Sequence, residues 1–196
     1  MNKEIDPEIQ FDCLSIGVKL YDYFDGFKRE EIQLFAYFSS IFFFYSRNIR
    51  IDDEWKYEFV VDRNGFPFSK ELNNSYEQHI VNRNFEEKER FAVVTPEGVK
   101  LYNSIKEHSL FKNREKAINA ACTASILVSY EQTERALLND EEIKNARLIN
   151  NQEFLDRENI YKKVLEISKE VGAPLDDLII PAVSWINYLI QKENGK

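Results

Sequence analysis

Residues 32–45, "IQLFAYFSSIFFFY", constrain the fold more than any other part of the chain. A helix needs roughly 20 apolar residues to cross a bilayer. This run has 14 positions, and Gln33, Ser39 and Ser40 are among them, so it is too short and too polar to be a membrane span. Wound as a helix, it places Ile32, Phe35, Ser39 and Phe42 on one face and Leu34, Phe38, Ile41 and Tyr45 on another. It is therefore apolar nearly all round, and such a helix belongs at the centre of a bundle, enclosed by others. The rest of the chain must supply the shell.

The flanking segments read as that shell. "FDCLSIGVKLYDYFDGF" carries Leu14, Val18 and Tyr21 at helical spacing, and the spacing predicts a helix ending near Asp25 and Gly26, with the glycine as C-cap. "DDEWKYEFVVD" has the β-branched and aromatic content of a strand or extended segment, and Arg63, Asn64 and Gly65 then turn the chain. Ser69 is a natural N-cap for a helix whose buried stripe is Leu72, Tyr76, Ile80 and Val81. "EEKER" reads as a polar tip, "FAVVT" as a strand, and "PEGVKLYNSIKEH" as a helix with Pro96 in a permitted first-turn position. Beyond residue 110 the chain reads as helical throughout, and Ala117, Ala120, Ala121 and Ala124 recur at a spacing that lets another helix approach closely. In "LDDLIIPAVSWINYLIQKE" the predicted helix kinks at Pro181 or restarts after Ile180.

Few chemistries fit this composition. The 26 Lys plus Arg stand against 34 Asp plus Glu, a formal charge of −8. That opposes general phosphate binding, which needs a basic footprint. Cys13 and Cys122 lie far apart with no CxxC or His cluster, so they read as buried thiols and not as metal ligands or a disulfide framework. No phosphate-binding P-loop, dinucleotide fingerprint, nucleophile elbow or HExxH occurs. His79 and His108 have no recognisable nucleophile partner. No catalytic residue, cofactor or metal is expected, and the charged, proline-bearing N-terminus "MNKEIDPEIQ" lacks a secretory core, pointing to a cytoplasmic protein.

Residues 69–85 occupy the place of a recognition helix. Lys70, Asn73, Asn74, Gln78 and Arg83 are the side chains on it able to reach bases or phosphates. Glu71 and Glu77 cancel Lys70 and Arg83, and the following tip sets Glu86, Glu87 and Glu89 against Lys88 and Arg90. DNA contact is expected only indirectly, through a complex.

The order is a buried aromatic helix, then Gly65, Phe66, Pro67, Phe68, Ser69, Lys70, Glu71 and Leu72, then a helix and "FAVVTPEGVKLY". This resembles small winged-helix proteins whose turn reads roughly Gly-Pro-Tyr-Ser-x-x-Leu and whose wing ends in Thr-x-x-Gly. Phe66, between Gly65 and Pro67, departs from that turn. The pattern, over about residues 28–106, resembles the middle components of bacterial three-component ABC-ATPase systems, among them the small subunit of Lamassu anti-phage defence, and is similar to Panacea-type antitoxins. The chain as a whole reads as mainly α in two parts, a winged-helix-like domain with a short β-wing at residues 1–110, to which the resemblance belongs, and a helical C-terminal subdomain at residues 111–196. The resemblance implies a non-catalytic adaptor joining an SMC-like ATPase to an effector nuclease; the alternative is a winged-helix DNA-binding regulator or antitoxin. Aromatic side chains concentrate interface energy, and the last helix carries more apolar surface than a terminal helix readily buries. Trp185, Ile186 and Tyr188 are therefore the expected partner-binding residues.

Overall fold

The computed structural model describes residues 5–47, 55–149, 154–174 and 177–195. It is mainly helical, with two short antiparallel hairpins. Helix α1 (Pro7–Phe24) starts one turn earlier than its apolar spacing alone predicts, because Asp6 caps it: its carboxylate accepts the Glu8 N–H at 2.9 Å, and Pro7 fills the first turn. The left-handed residue at its end is Asp25 (φ 59°), not Gly26. Gly26 is needed for another reason. A Cβ there would lie 2.5 Å from the Phe91 ring.

Helix α2 (Arg29–Arg47) is the predicted aromatic helix, and it occupies the centre. Side chains from Ile32 to Phe43 are buried without a break, and α1, α5 and α8 pack around it. The hydroxyls of Ser39 and Ser40 reach this depth by donating to the carbonyls of Phe35 and Tyr37, both at 2.6 Å.

The extended segment carrying Trp55, Tyr57 and Phe59 leads into β1 (Val60–Val61), paired with β2 (Pro67–Phe68). Gly65, at φ 84°, closes the turn between them, and the Asp62 carboxylate accepts the N–H groups of Asn64 and Phe66. Ser69 stands at the N-cap of α3 (Lys70–Val81), but its hydroxyl makes no cap bond and meets Glu71 instead. Its backbone is held from the centre: the Gln33 side-chain amide accepts the Ser69 N–H at 2.8 Å and donates to its carbonyl at 3.2 Å. The buried stripe of α3 is Leu72, Ser75, Tyr76 and His79; Ile80 is half-buried, and Val81, expected inside, is exposed because it falls on the opposite side of the final turn.

A small wing follows. β3 (Phe85–Glu87) pairs with β4 (Ala92–Val94) in the register Phe85 with Val94. Phe27, between α1 and α2, adds a bridge to Ala92 on the hairpin's other edge. Thr95 caps α4 (Pro96–Ile105) by accepting the Gly98 N–H.

Helix α5 (Lys112–Val128) lays its predicted alanine face, all four residues buried, against the centre and packs on α1, α2 and α9. It breaks at Ser129 into α6 (Tyr130–Leu138), followed by α7 (Glu141–Ile149), α8 (Arg157–Glu170) and α9 (Ile179–Asn194). Pro181 does not kink α9. It lies in the first turn, where no N–H is required, and Asp177 accepts the N–H groups of Ile179 and Ile180. The expected boundary at residue 110 falls between α4 and α5, and the hydrophobic core runs continuously across it.

Candidate interaction surfaces

Helix α3 and the wing present one outward face. Lys70, Asn74 and Arg83 are exposed on it, with Arg83 itself left-handed at φ 59°. Asn73 and Gln78 are half-buried and engaged, the first accepting from Arg29 at 3.4 Å and the second donating to Asn82 at 3.4 Å. Arg29, from the start of α2, lies 4.6 Å above the Tyr76 ring and pairs with Glu77 at 2.6 Å and Glu87 at 3.3 Å. Lys88 pairs with Glu86. Across this face Arg29, Lys70, Arg83, Lys88 and Arg90 meet Glu71, Glu77, Glu86, Glu87 and Glu89, and the sum is zero.

The C-terminal face differs from its sequence reading. Trp185 and Ile186 are buried, at 1% and 0% exposure, because α5, α6 and α8 all cover α9. They complete the chain's own core, and the expectation that they face a partner is corrected: in the folded chain neither offers a surface. Tyr188 remains at the surface, 38% exposed and stacked on Trp185 at 5.4 Å. Beside it is a small pocket of about 130 Å³ lined by Asp140, Glu141, Lys144, Lys163, Tyr188 and Lys192. Its charges are already matched. Lys163 and Lys192 both bond Glu141, whose carboxyl they hold down at about 2. Asp140, buried beneath, is pushed up to about 6 by that burial.

A second concavity, an open groove of about 710 Å³, runs between α1, α3 and α4 past Phe11, Leu101, Ile105 and Phe111. His79 stands in its wall. The Gln10 carbonyl can only accept, so Nε2 carries the proton toward it at 2.9 Å, and Nδ1 accepts from the Asn84 amide at 2.9 Å. Burial pushes this imidazole down to about 4. It is a satisfied neutral histidine.

The buried charges are likewise structural. Arg114 on α5 grips Asp12 on α1 through Nε and Nη2, at 2.8 and 2.5 Å, and its guanidinium lies 4.4 Å from the Trp55 ring. Tyr57 donates to the same carboxylate. Glu115 collects Ser15, Lys19 and Tyr102 within 2.7 Å. Arg157 bonds Glu58 and the Tyr57 carbonyl. Sequence reasoning missed these arginines, since nothing in a spacing pattern distinguishes a buried, paired Arg from a solvated one. Cys13 and Cys122 are free and buried, as expected of thiols in a core. Among the described residues no group of three or more His, Cys, Asp or Glu side chains is arranged to hold a metal ion, and no helix is long and apolar enough to cross a membrane. Compared with known proteins, the chain matches no family model, no curated protein and no solved structure.

Proposed function

We propose that this chain is a non-catalytic adaptor of a prokaryotic anti-phage defence complex, a winged-helix subunit that joins an SMC-like ATPase to an effector nuclease. The observation that carries the reading is the charge balance of the α3 and wing face. A recognition surface on duplex DNA needs a net positive footprint of cations free to meet phosphates, whereas the central arginine here, Arg29, is held by Glu77 and Glu87, Lys88 is held by Glu86, and the face as a whole carries as many carboxylates as cations. On this reading the unit of α3, the β3–β4 hairpin and α4 is a winged helix without the electrostatics of an autonomous DNA binder. A face of this kind suits a protein partner. Any hold of the complex on DNA comes from the ATPase.

Two measurements test this. By fluorescence anisotropy the isolated chain should bind a generic duplex no better than about millimolar at physiological salt, weaker than the roughly 10⁻⁴ to 10⁻⁶ M of non-specific binders. Co-expressed with an SMC-like ATPase from an adjacent reading frame, it should co-purify. Tight, salt-sensitive duplex binding by the chain alone would overturn the adaptor reading in favour of a DNA-binding regulator or antitoxin.

A further inference from the structure

We propose that the aromatic patch where the ends of α1 and α5 adjoin docks a positively charged segment of a partner protein, one that carries its own apolar anchors. The inference deepens the adaptor reading and rests on it. Helices α1 and α5 run parallel: Ser15 meets Glu115 and Lys19 meets Asn119, so their C-terminal ends lie side by side. There Tyr23 and Phe24 are 41% and 38% exposed, and Leu127 is 64% exposed. The Phe24 ring lies 4.4 Å from that of Tyr130 at the start of α6. Ser129, at φ 115°, makes the break that turns the chain into α6 just before Tyr130, a backbone state costly for a residue with a Cβ and sustained only by its surroundings.

The surroundings of the patch are predominantly acidic. Asp22 and Asp25 flank Tyr23 and Phe24 in sequence, and Glu131 and Glu134 follow Tyr130 one turn apart on α6. Glu31, at the start of α2, lies close enough to raise both the Tyr130 hydroxyl and the Glu134 carboxyl above their ordinary ranges, after burial as the first cause in each. No lysine or arginine pairs with Glu31, Glu131 or Glu134 among the described residues, and Lys28 is the one cation acting on Glu134. Glu141, Glu115 and Glu77, by contrast, each pair with a lysine or arginine. Unmatched carboxylates around exposed rings repel nucleic acid, anionic lipid and acidic peptides. They complement a basic segment, whose Lys or Arg can also sit on the ring faces.

The test is anisotropy with a labelled amphipathic Lys/Leu helix peptide, and a Glu/Leu peptide of the same length as its counterpart. The chain should bind the Lys/Leu peptide and not the Glu/Leu one, more weakly at about 0.3 M salt. Glu131→Gln with Glu134→Gln should weaken binding at least about tenfold, and so should Leu127→Ser. Glu166→Gln with Glu170→Gln, which removes the same charge from exposed positions on α8, should not. All four positions substituted on α6 and α8, and Leu127, are at least partly exposed, and unchanged melts will certify folding. No binding, or equal weakening in the α8 control, would overturn the assignment. The two readings fail separately. If the Glu131 and Glu134 variant co-purifies with the ATPase at wild-type yield and the peptide does not bind, the patch is refuted and the adaptor stands. If the wild type fails to co-purify while the peptide binds at the patch, the adaptor reading falls instead.

Discussion

Two buried groups titrate in opposite senses between pH 7 and 5, and separating them tests the electrostatics of the fold. His79 ionises at about 4 in the folded chain against an ordinary 6.5. As pH falls through that window the unfolded chain takes up a proton that the folded chain refuses, so stability is lost. By linkage the loss at pH 5 is about 2 kcal/mol, rising to about 3 kcal/mol below pH 4. Asp140 ionises at about 6 against an ordinary 3.8, so the folded chain takes up its proton first and stability is gained. At pH 5 that gain is on the order of 1 kcal/mol. The two groups share no hydrogen-bond partner and should act additively. In the wild type the two effects oppose each other and largely offset between pH 7 and 5. His79→Gln should remove the loss, shifting the pH 7-to-5 change by about 2 kcal/mol in favour of the acid side. Asp140→Asn, which keeps a side-chain oxygen for the Glu142 N–H, should shift it the other way by on the order of 1 kcal/mol. Urea melts at pH 7, 6 and 5, followed by the fluorescence of Trp55 and Trp185, measure both. Each variant's own baseline change cancels, because only the pH dependence is compared. If His79→Gln and wild type run parallel from pH 7 to 5, the imidazole is open to water and the placement of the groove wall is refuted.

Three further outcomes are expected. Phe42→Ala, at a fully buried position on the central helix, should cost about 3 to 5 kcal/mol in thermal or urea melts; a melting point unchanged within a degree or so would mean that the helix is not central. Trp185→Ala should cost a similar amount while Tyr188→Ala costs under about 1 kcal/mol, and the pair of melts separates core from surface on one helix. Gly98→Ala should destabilise strongly, because a Cβ there would lie 2.3 Å from the Asn84 carbonyl oxygen, a backbone atom fixed by the Thr95 N–H; a neutral melt would show that the wing can shift away from α4.

What could be read from the sequence depended on whether a residue's role was periodic. The central helix, the alanine face of α5 and the order of helix, wing and helix follow from spacing and turn chemistry, because apolar burial leaves a repeat in the sequence. Val81 was misplaced because it lies one residue, about 100° of helix, beyond Ile80 and so turns off the stripe of Leu72, Tyr76 and Ile80. Trp185 and Ile186 were assigned to a partner on the premise that a terminal helix lacks cover, and periodicity carries no information about which distant helices, here α5, α6 and α8, will supply it. The cluster of Glu31, Glu131 and Glu134 was invisible for the same reason. Glu31 is 100 residues from Glu131 in the chain, and the cluster forms only because α6 packs back onto α2.

The same non-local logic governs how the two halves of the chain are joined. Arg114 lies in the part beyond residue 110, yet its guanidinium is buried against Asp12, Glu8 and Trp55 of the first part. A buried carboxylate deprived of its arginine is costly, by about 3 to 5 kcal/mol, and the alanines of α5 cover apolar side chains of α1 and α2 that would otherwise meet water. The helical tail is therefore part of what keeps the winged portion folded. Arg157 repeats the arrangement from α8, tying Glu58 and the Tyr57 carbonyl and lying over Phe44 and Phe59. With two arginines from the tail pinned into the aromatic centre, the α3 and wing face and the acidic aromatic patch are carried on one continuous core. The proposed adaptor role needs that property: if both are docking surfaces, they are held at a fixed separation, so that a partner on one is placed at a set distance from a partner on the other.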